Sequence, residues 1–222
     1  MSKFEKAGLV TKQAAGSDDM AKINRLTLRE LAPEEVFVFK IAACNDQPDR
    51  DNERFTAHAL EQLAELFIGK TVIMDHVWSA ANQTARIFDS EVTESDGVHT
   101  LTLSAYMLKT EQTAEVIAAV EGGILKEVSV GCAVNRAVCN ICGTDKMRSC
   151  CPHRPGEEYD GTLCIVELDD ATDAYELSFC AVPAQPAAGV TKQYGGEDKP
   201  NADEHAKEFN RRKALALLEL EE

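Results

Sequence analysis

The sequence predicts an α+β fold: a mainly antiparallel β-barrel with two or three flanking helices and a cysteine-rich loop inserted between strands. Three observations point there. Several runs of β-branched and aromatic residues have strand length, the clearest being Val36-Phe37-Val38-Phe39-Lys40-Ile41-Ala42-Ala43-Cys44. Two stretches carry apolar residues at helical spacing and end at glycine. Five of the eight cysteines (Cys139, Cys142, Cys150, Cys151 and Cys164) fall in one segment.

Residues 1–20 scatter Lys, Gly, Ser and Asp with little periodicity and read as a flexible leader. The domain proper is expected over 21–190, followed by a polar linker and a short C-terminal helix over 191–222. The 36–44 run reads as a strand buried on both faces. The acidic loop after it, 45–53, lacks the glycine and the closing glutamate of a calcium loop. Thr56 can cap a helix whose stripe is Leu60, Leu63, Ala64 and Phe67, with Gly69 as its stop. Thr71-Val72-Ile73-Met74 is a short strand running into Asp75-His76. Strands over 85–92 and 99–107 meet through the turn signal Ser95-Asp96-Gly97. A second helix, over 111–120, buries Val116, Ile117 and Val120 and ends at Gly122-Gly123.

Val128-Ser129-Val130-Gly131-Cys132-Ala133-Val134 follows with a period of two. Val128, Val130, Cys132 and Val134 share one face; Ser129, Gly131 and Ala133 share the other. Such a small-residue face suits an uncrowded nucleophile, and equally the close approach of another segment. Strands over 162–168 and 175–182 complete the domain. Leu215, Leu217, Leu218 and Leu220 mark the final helical pattern, over 208–220, which is marginal on its own and docks on a partner or frays.

The bulk numbers narrow the function classes. A chain of 222 residues can bury one substantial core. A formal charge of −15 opposes non-specific binding to nucleic acid or to an anionic membrane. No apolar run approaches the roughly 20 residues that span a bilayer. The start, Met1-Ser2-Lys3-Phe4-Glu5-Lys6, lacks the apolar centre of a secretory signal. A cytosolic protein is expected, with cysteines serving as thiols or metal ligands rather than disulfides.

Cys139-x2-Cys142-x8-Cys151-x-His153 has the residue types and spacing of a tetrahedral zinc site. Four protein ligands leave no open position, so the zinc would be structural, stapling an insertion over 136–165 too small for its own core. Cys150 could replace Cys151, and Cys164 is a further candidate. The plain alternative is a cluster of free thiols.

Acyl transfer by a serine needs a base and a group that orients the base. Of the five histidines, His153 belongs to the metal motif and His205 to the polar tail. His58 starts a helix and His99 lies in a hairpin. His76 ends an apolar strand, where a side chain projects from a rigid support. Glu176 interrupts the apolar run over 175–182, and an acid facing inward there needs a partner.

The succession Val72-Ile73-Met74-Asp75-His76, then Val128-Ser129-Val130-Gly131, then Glu176-Leu177-Ser178-Phe179-Cys180-Ala181-Val182-Pro183-Ala184-Gln185-Pro186 resembles that of the prohead serine proteases of tailed bacteriophages. Those enzymes are distantly similar in fold to assemblin, the herpesvirus assembly protease. The resemblance spans roughly 35–190 and rests on three short motifs in order, with a helix before the serine. It implies Ser129 as nucleophile, His76 as base and Glu176 as third member, with no cofactor for catalysis. It also implies substrates among the scaffold, the major capsid protein and the chain's own tails. The place of action would be a phage procapsid in the bacterial cytoplasm; a homo-oligomer is expected, without membrane or nucleic-acid partners. The cysteine-rich segment departs from the minimal family pattern, and Asp170 or Asp173 could stand in for Glu176. Two rivals remain: an inactive protease-fold capsid-assembly or scaffold protein, and a zinc-dependent module binding nucleic acid or protein.

Overall fold

The computed structural model describes residues 15–185 and 188–190. The expected C-terminal helix over 208–220 lies outside the described residues, as do the first fourteen positions of the expected leader. The rest of that leader is not free chain. Helix α1 (Ser17–Asn24) begins inside it and buries Met20 and Ile23 in a small cluster with Val36, Phe88 and Tyr106. One turn of apolar spacing in a polar stretch is too little for periodicity to register.

Strand β1 (Val36–Asn45) is buried along most of its length, as its β-branched and aromatic run requires. After the acidic loop, β2 (Glu53–Phe55) leads into α2 (Ala57–Phe67). The Thr56 hydroxyl caps α2 by accepting the Ala59 N–H at 3.1 Å, while Leu60, Leu63 and Phe67 are fully buried. Gly69, at φ +81°, takes the left-handed conformation that turns the chain into β3 (Thr71–Met74). Strands β4 (Ala85–Ser95) and β5 (Val98–Leu108) form a hairpin. Its two turn residues, Asp96 and Gly97, have φ of 53° and 77°, the mirror-image turn that matches strand twist. Helix α3 (Ala114–Glu121) follows, then β6 (Val128–Cys139), the small hairpin β7 (Glu158–Tyr159) and β8 (Thr162–Leu163), the long β9 (Val166–Phe179) and β10 (Gly189–Val190). Among the described residues no helix is long and apolar enough to cross a membrane.

The strands make one large, mostly antiparallel sheet in the order β10-β1-β5-β4-β3-β9-β2, with β6 also paired to β9. The mixed α+β expectation holds; the closed barrel does not. The reason lies in β9, whose edges serve three partners. β6 runs antiparallel along nearly its whole length, whereas β2 and β3 pair in parallel with its two ends. The sheet therefore branches at β9 instead of wrapping into one ring. Across the remaining seam, between the start of β6 and β10, the described residues make only the isolated bridge Glu127–Gly189.

The sequence suggests two strands where β9 is one, because Asp169, Asp170 and Asp173 read as a break. Each acid has a partner instead. Thr56 Oγ1 donates to Asp169 at 2.7 Å, Asn135 Nδ2 to Asp170 at 3.2 Å, and Lys70 Nζ to Asp173 at 3.0 Å. The β6–β9 ladder carries two irregularities. Gly131 pairs with Glu176 but Cys132 pairs with Ala174, which leaves Tyr175 as an extra, bulged residue; Thr172 is bulged in the same way.

Candidate active site and metal centre

The geometry of the first site follows from register. Ser129 lies opposite Ser178 and Gly131 opposite Glu176 across the β6–β9 ladder. Directly paired residues project to one face, so the small-residue face of β6 and the Glu176–Ser178 face of β9 coincide. The other face sends Val128, Val130, Leu177 and Phe179 into the core.

On the far edge of β9, β3 places Ile73 beside Ser178 and Met74 beside Phe179. The chain then turns sharply: Asp75 and His76 both have positive φ, 51° and 54°. That turn folds His76 back over β9. Its backbone N–H donates to Ser178 Oγ at 3.0 Å, and its ring Nδ1 lies 2.7 Å from Glu176 Oε1. Ser178 Oγ donates to Glu176 Oε2 at 2.7 Å. Glu176 is only 3% exposed, a position an acid can hold only with strong partners, and here each of its oxygens has one.

The Ser178 hydroxyl accepts from the His76 amide and donates to Glu176 Oε2. An ionised Glu176 accepts at both oxygens; in that state Nδ1 of a neutral ring carries the imidazole proton and Nε2 is left as an acceptor.

Gly131 makes room for this arrangement. A Cβ at that position would sit 2.3 Å from Glu176 Oε1 and 3.1 Å from its Cδ. The glycine in the serine strand is thus the other side of the carboxylate's seat.

Ser129, Gly131, His76 and Glu176 line one cleft of about 540 Å³, with Trp78 and Tyr175 beside them. Among the described residues the Ser129 hydroxyl has no hydrogen-bond partner, so the serine–histidine bond of a complete triad is not made. Bonds of this kind often tighten only around substrate. Among the described residues two other histidines are hydrogen-bonded to carboxylates, His58 to Asp169 at 3.0 Å and His99 to Asp46 at 2.8 Å, and neither borders the cleft. Asp170 and Asp173 are occupied elsewhere, so Glu176 is the acid that meets His76. Cys132 lines the cleft too, but burial, then the nearby Glu176 charge, pushes its thiol up to about 11 and leaves it un-ionised at neutral pH.

The second site lies at the other end of β6. Ligand atoms of Cys139, Cys142, Cys151 and His153 all fall within 4.8 Å of one another. Cys142 Sγ is 3.5 Å from Cys151 Sγ, and His153 Nδ1 is 3.6 Å from Cys151 Sγ and 3.8 Å from Cys139 Sγ. Tetrahedral zinc with ordinary bond lengths sets sulfur pairs about 3.8 Å and sulfur–nitrogen pairs about 3.5 Å apart. These three separations lie close to that geometry, and the four residues could hold a metal ion. The Thr144 side chain and backbone, hydrogen-bonded to Cys142, lower its thiol to about 6, which favours the thiolate a metal needs. Lys146 Nζ donates to the His153 backbone carbonyl at 2.8 Å, and Tyr159 packs edge-on against the His153 ring, which holds that loop in place. Cys150 is exposed and outside the group; Cys164 is buried 3.8 Å from Cys139 Sγ, yet is not one of the four.

Two functional contributions escape a reading of the sequence. Ser178 bridges the His76 backbone and the Glu176 carboxylate, for which the only sequence trace is its place two residues after Glu176 on the same strand face. Gly131 looks merely permissive until the register puts Glu176 opposite it. No protein-family model, curated protein or solved structure matches this chain.

Proposed function

We propose that the chain is a serine endopeptidase in which Ser129, His76 and Glu176 act together. The observation that carries this reading is the buried Glu176 carboxylate gripping His76 Nδ1 in a cleft that Ser129 also lines. In the reaction, Ser129 Oγ attacks a peptide carbonyl carbon and passes its proton to His76 Nε2. The imidazolium is stabilised by Glu176 across the 2.7 Å contact. His76 returns the proton to the departing amine as the C–N bond breaks. Water, deprotonated by the same nitrogen, then hydrolyses the acyl-serine ester and regenerates the hydroxyl. Ser178 takes no part in bond making; it orients Glu176 and anchors the His76 backbone.

The order of the three motifs supports a place in phage capsid maturation, with scaffold and capsid-protein extensions and the chain's own tails as substrates. The metal centre supports a structural zinc. Ten strand positions separate Ser129 from Cys139, roughly 30 Å at strand rise, and the four ligands leave no position for substrate. The zinc would supply cross-linking of the insertion and no chemistry at the cleft.

The open Ser129–His76 contact is the one observation that favours a second reading, an inactive protease-fold assembly protein. A fluorescent phosphonate that reacts with activated serines separates the two. Labelling mapped to Ser129, and lost in His76→Ala, supports the peptidase. An unlabelled wild-type chain, with Ser129→Ala causing no loss of processing when co-expressed with its capsid proteins, would remove Ser129 from the chemistry.

A further inference from the structure

The cleft holds two features that the proton-transfer residues do not use. One is an aromatic pair. Trp78 lies two residues after His76 and Tyr175 immediately before Glu176, with ring centroids 5.5 Å apart. They are 70% and 42% exposed, although both are large rings beside a cleft that could have covered them. Tyr175 reaches the cleft because it is the bulged residue of β9. In a regular strand it would point away from the face Glu176 occupies, and the bulge re-aims it.

The other feature is charge. Asp49, Asp51 and Glu53 line the same cleft, and among the described residues none has a cation paired to it. Of the two neighbouring cations, Arg54 lines the cleft but is paired with Glu167, and Arg50 donates to the Pro183 carbonyl. The loop is fixed rather than loose, since Asp49 Oδ1 accepts the N–H groups of Asp51 and Glu53, each at 2.9 Å. Glu53 is held above its ordinary value by burial and then by the charges of Asp49 and Asp51, repulsion that a cation would relieve. His76 and Glu176, which also line the cleft, satisfy each other.

Resting on the peptidase reading, we infer that this cleft selects a peptide carrying a lysine or arginine side chain, held over Trp78 and Tyr175 and neutralised by Asp49 and Asp51. A cation over an aromatic face is attracted by the ring's quadrupole. Carboxylates preorganised in a cleft add attraction that an acidic peptide would feel as repulsion. The occupant is thus a basic segment of a peptide, and Trp78 and Tyr175 are specificity-determining residues.

Trp78 is the only tryptophan in the chain, so its fluorescence reports occupancy of the cleft directly. The experiment titrates the full-length Ser129→Ala chain with two short peptides that differ only in a central arginine or glutamate. Saturable change with the arginine peptide, at least tenfold tighter than with the glutamate peptide, is expected. The preference falls at least tenfold in Asp49→Asn/Asp51→Asn. It also falls in Tyr175→Leu, which changes no charge and guards against a loop that fails to fold. Equal binding of both peptides, a preference for glutamate, or no binding overturns the inference. The wild-type chain is assayed in parallel for cleavage. Arginine-selective binding without cleavage refutes the peptidase and leaves the binding preference standing; cleavage indifferent to basic residues does the reverse.

Discussion

Gly131→Ala sets two effects of opposite sign against each other. By strand propensity alone the change stabilises by about 0.5–1 kcal/mol, because glycine has more backbone freedom to lose. The structure predicts the reverse. The added methyl would lie 2.3 Å from Glu176 Oε1, so the carboxylate has to leave its position. It sits in a buried pocket, so relief by rotation costs roughly what modest overpacking costs, about 1–3 kcal/mol. Rotation also breaks the 2.7 Å contact to His76, a bond to a charged group worth about 1.5–3 kcal/mol. The net expectation is a chain destabilised by about 2–5 kcal/mol in urea titrations. On the proposed mechanism, peptide cleavage should fall about 10⁴-fold, the drop seen when a triad base loses its orienting acid. A third readout needs no substrate: the far-downfield proton resonance of a His Nδ1–H bound to carboxylate, present in the wild type and absent in the variant. A Gly131→Ala chain that keeps this resonance and gains stability would refute the assigned seat of Glu176.

Ser178→Ala leaves Glu176 Oε2 and the His76 amide without their partner, and should cost about 1–3 kcal/mol. Its effect on cleavage should be smaller than that of Glu176→Gln, with rates measured on one peptide for both. Cys139→Ser and Cys142→Ser should each lower bound zinc and the melting temperature together, measured by mass-spectrometric metal content and thermal unfolding, whereas Cys150→Ser should leave both unchanged. Chelation should lower the melting temperature without altering the cleavage rate of chain that remains folded. Glu35 gives a pH signature far from either site. Its bidentate pair with Arg29 and the Ala32 N–H lower its carboxyl from 4.5 to about 2. A depressed acid contributes stability above its unfolded value and loses it as pH falls through its folded value. Wild type and Glu35→Gln should therefore differ above about pH 4.5 and converge toward pH 2, read from urea midpoints across that window.

Much of the fold is legible in the residues because local chemistry decides it. Asp96-Gly97 sets the β4–β5 hairpin, Thr56 and Gly69 bracket α2, and the 36–44 run can only be a buried strand. His76 and Glu176 are legible as a pair through the order of their motifs, and the Cys139, Cys142, Cys151 and His153 cluster through spacing. What stays hidden depends on pairing between distant segments. The length of β9 is hidden because its acids find partners on β6, α2 and β3's flank. The sheet's branching, the reach of Tyr175 into the cleft and the bracing by Ser178 all follow from register, which leaves no mark in a single strand's composition. Helix α1 escapes notice for a simpler reason, a stripe of only two buried residues.

The β6–β9 ladder also determines which part of the chain is dispensable. Its last rung, Cys139 opposite Val166, lies where two antiparallel neighbours enter and leave the insertion. Adjacent antiparallel strands can be joined by two residues, so the whole excursion from 140 to 165 is replaceable by an Asn-Gly turn. A chain shortened in this way keeps every residue of the cleft and has no call for metal. The cysteine-rich segment is then an appendage at a hairpin tip, exchangeable for another loop with every lining residue of the cleft retained.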